Sequence, residues 1–278
     1  MCFVFSDDGM LLPDDGHSVR STLPVGLGCC LLNVLLAPRA ADWVDRVFGP
    51  GVAPDAPFEY VGAAYFLLAY TALLIGWRAL QTGPHSFLET IWACNQSMIM
   101  AATGMLTSRP LLVAAAVAAV AGDQIAWYAD VIGYLASGGK KFPIGVAKYL
   151  TYPENRALSK RLTSSHHVWF IPLCLWVLAG HGGMAFRAYY LSCLFTSSLA
   201  VWARFFTPKI LRIKSQKEGM YMNINGAYEF WKDIKVPFLH VLDNRHPLLY
   251  LPFLFVTGNL SVNLLPFGLL SLCSTHFG

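Results

Sequence analysis

Six polar residues that can do chemistry lie in segments that are otherwise apolar enough to cross a membrane. A membrane interior excludes such side chains unless they face water, a cation or a partner, so their presence indicates a functional site. They fall in three neighbouring segments of the chain, the stretch 88–97, the stretch 122–130 and the pair 166–167. The residues are Cys94, Asn95, Asp123, Asp130, His166 and His167.

A cysteine and a histidine together suit nucleophilic catalysis. A histidine can take the proton of a thiol near neutral pH, and the resulting thiolate of Cys94 would be the nucleophile. Asn95 is placed to orient the thiol or to hold an oxyanion, while Asp123 or Asp130 can orient a histidine. Adjacent residues of a helix point about 100° apart, so we expect only one of the two histidines to face the site.

The same residues permit other interpretations. Asp123, Asp130, His166 and His167 can bind a divalent metal such as zinc, which would activate water for lipid hydrolysis. Alternatively, the acids are a proton or cation site, or internal ion pairs, in a transporter or an accessory subunit of a membrane complex. Each group also has a structural interpretation, with Cys94 as a packed apolar residue and the acids bonded to arginines or backbone amides.

The composition is that of an integral membrane protein. Of 278 residues, 55% are hydrophobic and 13% are charged, whereas soluble domains carry about 25% charged residues. We predict an all-α fold, a polytopic membrane bundle of six or seven transmembrane helices. The net charge of +4 is modest, and we expect no nucleic-acid partner. A homo-oligomer or a partner in a membrane complex is possible.

The chain divides into an N-terminal segment and one helical domain. Residues 1–57 form an acidic segment with an apolar run at 23–36, which is either a short tilted span or an interfacial helix, and a loop from residue 39. Residues 58–278 form a single transmembrane bundle. Its predicted spans are 58–80, 86–108, 110–136, 165–180, 186–206 and 247–273, the last of them broken by Pro252 and Pro266.

Two basic loops set the predicted orientation of the bundle. The loops 138–164 and 207–245 are separated by one helical hairpin, so they lie on the same side, and the positive-inside rule makes that side cytoplasmic. A rise of about 1.5 Å per residue then puts Cys94 roughly 12 Å and Asp130 roughly 9 Å into the membrane from that side. Asp123 and Asp130 also share one helix face with Trp127. We predict one cytoplasm-facing cavity that contains these groups and the histidines.

Several short motifs occur in an order that a known membrane family shares. They are Cys94-Asn95, Thr107-Ser108-Arg109, Gly122, His166 or His167, Tyr221-Met222-Asn223 and Pro247 to Tyr250. With these motifs, the chain from residue 58 onward resembles the YwaF-like integral membrane family and its eukaryotic relatives, the transmembrane acyltransferases that remodel ether phospholipids.

The resemblance implies a phospholipid acyltransferase that needs no cofactor. Cys94 would carry the acyl group as a thioester, with His166 or His167 as its base, a membrane phospholipid as donor and a lysophospholipid as acceptor. A eukaryotic endomembrane such as the endoplasmic reticulum is the expected location. The chain departs from the family pattern between Glu89 and Ala93, where the histidine that precedes the family's cysteine is missing.

Overall fold

The computed structural model describes residues 3–5, 11–13, 19–49, 58–152, 162–211, 220–232 and 234–274. Its architecture is helical, so the predicted all-α class is confirmed. The strands form two short antiparallel pairs: β1 (Phe3–Phe5) with β2 (Leu11–Pro13), and β3 (Ile210–Leu211) with β4 (Met220–Tyr221).

The α-helices follow one another through short turns and 3-10 segments. In chain order they are α1 (Val19–Phe48), α2 (Val61–Thr82), α3 (Ala93–Leu106), α4 (Pro110–Ala136), α5 (His166–Leu178), α6 (Phe186–Phe206), α7 (Pro247–Gly258) and α8 (Leu265–Ser274). Within the described residues, 3-10 segments lie at Pro84–Ile91, Lys148–Thr151, Ile224–Gly226 and Pro237–His240, and a π-helical segment, Asn259–Leu264, joins α7 to α8.

Helix α4 is the centre of the bundle. Every residue from Leu111 to Ala121 is buried, and α3, α5 and α6 pack against this helix. The buried stretch consists of alanine, valine and leucine, and the small side chains let neighbouring helices approach closely. At the turn from α3 to α4, a Cβ at Gly104 would lie 2.8 Å from the Cβ of Leu112. The central helix therefore fixes where its neighbours place their side chains.

Three helices of the described chain are long and apolar enough to cross a membrane: Thr22–Phe48, Val61–Gln81 and Pro110–Ala136. This is fewer than the six or seven predicted, chiefly because three of the six predicted spans, 86–108, 165–180 and 247–273, contain only short helices. Helix α3 has 14 residues and α5 has 13, whereas a span needs about 20. Large apolar side chains are exposed on α1 and α2, among them Leu31, Leu73 and Leu80, as lipid-facing surfaces require.

Helix α1 is longer than the sequence predicted. The apolar run at 23–36 is part of a helix of 30 residues that continues to Phe48, so the prediction of a loop from residue 39 is wrong for this part of it. Polar residues continue the helix because they have partners: Asp42 forms an ion pair with Arg109, and Asp45 forms one with Arg187 at 2.7 Å. The predicted loop residues 50–57 lie outside the described chain.

The last predicted span is interrupted as expected, but by a π-helical segment. Asn259–Leu264 adopts this wider turn directly before Pro266. Since proline cannot donate the regular helical hydrogen bond and clashes with the preceding turn, a local widening accommodates it. Asn263 Nδ2 donates to Asn259 Oδ1 at 3.1 Å and to Thr196 Oγ1 of α6 at 3.3 Å. The polar turn is therefore bonded to the neighbouring helix.

Candidate active site

Cys94 lies where a 3-10 segment gives way to α3. The segment Pro84–Ile91 ends at Trp92, whose extended backbone (φ −55°, ψ 135°) redirects the chain before α3 begins at Ala93. Cys94 is thus in the first turn of α3, where backbone N–H groups have no intrahelical acceptors. Burial opposes ionisation of this thiol, whereas its position at a helix start favours the thiolate.

Two side chains of α3 fix this turn. Asn95 Nδ2 donates to the backbone carbonyl of Glu89 at 2.7 Å, and Gln96 Nε2 donates to that of Thr90 at 2.8 Å. Both amides thereby bond the 3-10 segment to the helix. Asn95 was predicted to orient the thiol or to hold an oxyanion. One of its two amide N–H groups binds the Glu89 carbonyl, so Asn95 supports the turn that carries Cys94, and its predicted role at the thiol stays a prediction.

A residue from a distant loop completes the start of α3. Asn225 Oδ1 accepts a hydrogen bond from the backbone N–H of Ala93 at 2.8 Å, and Asn225 Nδ2 donates to the carbonyl of Ile91 at 2.8 Å. Asn225 has a φ of 55°, a left-handed conformation that asparagine tolerates better than most residues. Since 132 residues separate Asn225 from Ala93, no local sequence pattern indicates this cap.

The thiol and two imidazoles converge in one cluster. The Cys94 Sγ atom, one ring nitrogen of His166 and one ring nitrogen of His167 all lie within 4.8 Å of one another. The two histidine rings are 4.2 Å apart between centroids. The expectation that only one histidine faces the site is therefore wrong. Both rings reach Cys94 because they project from the first turn of α5, which begins at His166.

Each imidazole is held by a neighbour of its own. His166 Nδ1 lies 3.2 Å from the backbone carbonyl of Thr163, which favours the tautomer with the proton on Nδ1 and leaves Nε2 as the basic nitrogen. His167 stacks on Trp127 of α4, with ring centroids 5.7 Å apart and planes 20° from parallel. Within the described chain, His166 Nε2 and His167 Nδ1 are buried and have no hydrogen-bond partner.

An arginine that the sequence analysis overlooked stands beside the cluster. Arg78 of α2 donates to the carboxylate of Glu89 and to Thr163 Oγ1, the latter at 3.2 Å. It also acts electrostatically on Cys94 and on both histidines. The signal was present in the sequence, because Arg78 is the only charged residue between positions 60 and 80. Arg78 accounts for Glu89, whose carboxylate would otherwise be buried without a counterion.

Asp123 lies near the cluster without joining it. Its charge acts on Cys94, but it is outside the set of atoms that converge within 4.8 Å. No hydrogen bond or ion pair links its carboxylate to another residue of the described chain. Asp123 therefore lies close enough to act on the thiol, and no hydrogen bond joins it to either histidine in the described chain.

Asp130 is engaged elsewhere. Its two carboxylate oxygens accept hydrogen bonds of 2.7 to 3.1 Å from the backbone amides of Ile144, Gly145 and Ala147. The side chain is fully buried and holds the loop after α4 against that helix. The metal set proposed from the sequence, Asp123 and Asp130 with the two histidines, is thus not brought together in the described chain, where the convergent group contains Cys94 in place of the acids.

Comparison with protein-family models, curated proteins and solved structures finds no match for this chain. What the site does is therefore inferred from its own residues. The described chain brings together a thiol at a helix start, an imidazole oriented by a carbonyl, a second imidazole and an arginine. These residues make up the candidate site, and the helices α1 and α2 of the same bundle expose large apolar side chains.

Proposed function

We propose that the protein is an intramembrane phospholipid acyltransferase that uses Cys94 as nucleophile. The observation that carries this proposal is the convergence of the Cys94 Sγ atom with a ring nitrogen of His166 and of His167 within 4.8 Å. A nucleophile, a base and a group that orients the base are the parts that covalent acyl transfer needs. Thr163 orients His166 in this arrangement through its carbonyl.

The reaction has two balanced steps. His166 Nε2 takes the thiol proton as Cys94 Sγ attacks the ester carbonyl of a phospholipid, and the same proton passes to the departing lysophospholipid, leaving a thioester. The hydroxyl of an acceptor lysophospholipid then attacks the thioester, and the acyl group leaves Cys94 as its thiol is restored. In this proposal, the backbone amides of Cys94 and Asn95 in the first turn of α3 would hold the oxyanion of each step.

The surroundings support a lipid substrate. The exposed apolar faces of α1 and α2 suit lateral entry from the bilayer. We further propose that α6 and the joined helices α7 and α8 also cross the membrane, that the loops at 138–164 and 207–245 are cytoplasmic, and that their lysines and arginines hold lipid phosphates. This assignment takes up the resemblance of the sequence to the YwaF-like family and its ether-phospholipid acyltransferase relatives, and with it we propose an endomembrane location.

Variants of Cys94 test the proposal directly. The purified protein in lipid nanodiscs would receive a phospholipid donor and a labelled lysophospholipid acceptor. We expect Cys94→Ala and Cys94→Ser to abolish acyl transfer and to remove a hydroxylamine-sensitive acyl adduct at residue 94, detected by mass spectrometry. Cys193→Ala, which changes a half-buried cysteine on α6, should retain both signals. Full acyl transfer by Cys94→Ala would refute the mechanism.

The two histidines should differ in the same assay. We expect His166→Gln to lower kcat by about 10²- to 10⁴-fold, as loss of a general base does. His167→Gln should cost less, because the stacking of His167 on Trp127 lets its ring support the site without taking the thiol proton. Equal losses for both variants would remove the assignment of His166 as the base.

A further inference from the structure

We propose that Cys94, His166 and His167 form a binding site for a soft divalent metal ion, with Zn²⁺ as its representative. This set differs from the one that the sequence suggested, since it uses the thiol and leaves out Asp130. The inference that the ion binds does not rest on the proposed acyl transfer. Its consequence for activity, described below, does.

The distances fit one metal ion. Zinc binds sulfur at about 2.3 Å and imidazole nitrogen at about 2.0 to 2.1 Å in a tetrahedron, which puts donor atoms of one ion about 3.3 to 3.7 Å apart. The three donors of the cluster lie within 4.8 Å of one another. Side-chain rotations that bring them together by about 1 Å would complete three corners of the tetrahedron and leave the fourth open.

Each of the two histidines has one buried ring nitrogen that is unsatisfied. His166 is 3% exposed, and its Nε2 has no hydrogen-bond partner in the described chain; the same holds for the buried Nδ1 of His167. Buried polar atoms without partners are uncommon in folded proteins and call for an explanation. The contact of His166 Nδ1 with the Thr163 carbonyl is the kind of support that metal-binding histidines usually have on their other nitrogen.

The donor types and charges favour zinc over harder ions. A thiolate with two imidazoles suits Zn²⁺, whereas Mg²⁺ and Ca²⁺ prefer oxygen ligands. The ion and the thiolate together carry one net positive charge, which the nearby carboxylate of Asp123 can offset. That carboxylate acts on Cys94 and has no ion pair within the described chain. The other nearby charge, on Arg78, is matched by Glu89.

Metal binding would compete with acyl transfer. A sulfur bound to Zn²⁺ has lost its proton to solvent and shares its lone pair with the ion, so it is no longer free to attack an ester. If the proposed function holds, Zn²⁺ is therefore an inhibitor of the enzyme that acts at the catalytic thiol. Chelators should then raise the activity of protein that was purified with zinc.

The test measures how much zinc the purified full chain binds in lipid nanodiscs. After equilibration with Zn²⁺ and removal of excess ion, elemental analysis should give one zinc per chain for the unmodified protein. We expect Cys94→Ala, Cys94→Ser and His166→Ala to bind zinc at least tenfold more weakly. The controls Cys193→Ala and His181→Gln change another half-buried cysteine and another buried histidine, and they should retain one zinc per chain.

Two further readouts do not depend on whether variants fold. Co²⁺ bound to the unmodified protein should give a thiolate-to-cobalt charge-transfer band in the near ultraviolet. Zn²⁺ should slow the alkylation of Cys94 by a maleimide, followed by site-resolved mass spectrometry, without slowing that of Cys193. The absence of bound zinc, or zinc retained by Cys94→Ala, overturns the metal site. The two proposals can also be separated. If the unmodified protein binds zinc but Cys94→Ala keeps full acyl transfer, the metal site stands and the proposed function is refuted.

Discussion

The thiol of Cys94 lies among groups that act on it in different directions. Burial of the thiol is the largest influence and opposes a thiolate, as does Asp123, while the charge of Arg78 and the amides at the start of α3 favour one. A buried thiol depends on a base to take its proton at the moment of reaction. In the mechanism that we propose, His166, which converges with Cys94, is that base.

Arg78 should contribute strongly to stability. Arg78→Met would leave the carboxylate of Glu89 buried without a counterion, at a cost of about 3–5 kcal/mol in the free energy of unfolding. The double variant Arg78→Met with Glu89→Gln should regain part of this loss. Thermal unfolding in detergent would measure both.

A pair on the opposite side of the bundle provides the control for Arg78. Arg109→Met removes the partner of Asp42, whose side chain is 50% exposed, and should cost about 1 kcal/mol or less, as exposed ion pairs do. If Arg78→Met costs no more than Arg109→Met, Arg78 does not hold the 3-10 segment in place.

At the residue scale, the sequence predicted the proximity of Cys94 to the histidines. It did not predict the residues that hold these side chains in position. Polar residues in apolar segments are conspicuous, and helical geometry places them at similar depths. Arg78 also lies in an apolar segment, yet its partner Glu89 belongs to another element, and the sequence does not pair them. The catalytic roles themselves stay predictions, since the geometry supports them and only the variants test them.

At the element scale, Asp130 anchors a loop. Its carboxylate gathers the backbone amides of residues 144–147 and so folds the chain back onto the end of α4. The 3-10 turn Lys148–Thr151 follows directly and brings Tyr149 into electrostatic range of Cys94 and Arg78. Asp130 thus affects the site through the loop that it anchors.

Asp130→Asn should loosen that loop. The amide side chain keeps one acceptor oxygen in place of two, so some of the loop amides lose their partner, at about 1–3 kcal/mol. Hydrogen exchange at residues 144–147 should become faster, whereas Asp123→Asn should leave it unchanged. The opposite result would be that Asp130→Asn abolishes acyl transfer while hydrogen exchange in the loop is unaltered. That result would indicate that Asp130 takes a direct part in the chemistry.

The break before α3 shows why helix boundaries were harder to predict than the residues of the candidate site. Residues 86–108 are apolar enough for one continuous helix, and nothing in their composition marks Trp92 as a boundary. The break depends on hydrogen bonds from Asn95, Gln96 and Asn225, the last from a segment far along the chain. The extension of α1 also depends on contacts that are distant in sequence. Its polar end stays helical because its aspartates form ion pairs with arginines from other parts of the bundle.

For the whole molecule, close packing of α1 against the segment Pro84–Ile91 sets the position of the site. A Cβ added at Gly26 would lie 2.2 Å from the carbonyl oxygen of Phe87 and 2.8 Å from Thr90 Oγ1. Further along α1, Asn33 Nδ2 donates to Gln96 Oε1 at 2.8 Å. Helix α1 is therefore part of the wall behind Cys94 and not an accessory to the bundle.

Gly26→Ala should therefore damage both stability and activity. Overpacking of this kind costs about 1–3 kcal/mol, and the displaced segment would shift Cys94 relative to the histidines. Gly76→Ala is the matched control, because a Cβ there has no neighbour within 4 Å in the described chain; it should leave thermal unfolding and acyl transfer unchanged. Equal behaviour of the two variants would show that α1 does not position the site.

The ion pairs of the bundle differ between its two sides, and ionic strength should distinguish them. Asp42–Arg109 and Asp45–Arg187, which hold the end of α1, have aspartate side chains that are 50% and 39% exposed. Arg78–Glu89, beside Cys94, is 16% and 12% exposed. Dissolved ions screen exposed charges over a Debye length of about 8 Å at physiological salt and act far less on buried pairs. Raising the salt concentration would therefore loosen the end of α1 that is remote from the thiol and leave the surroundings of Cys94 intact.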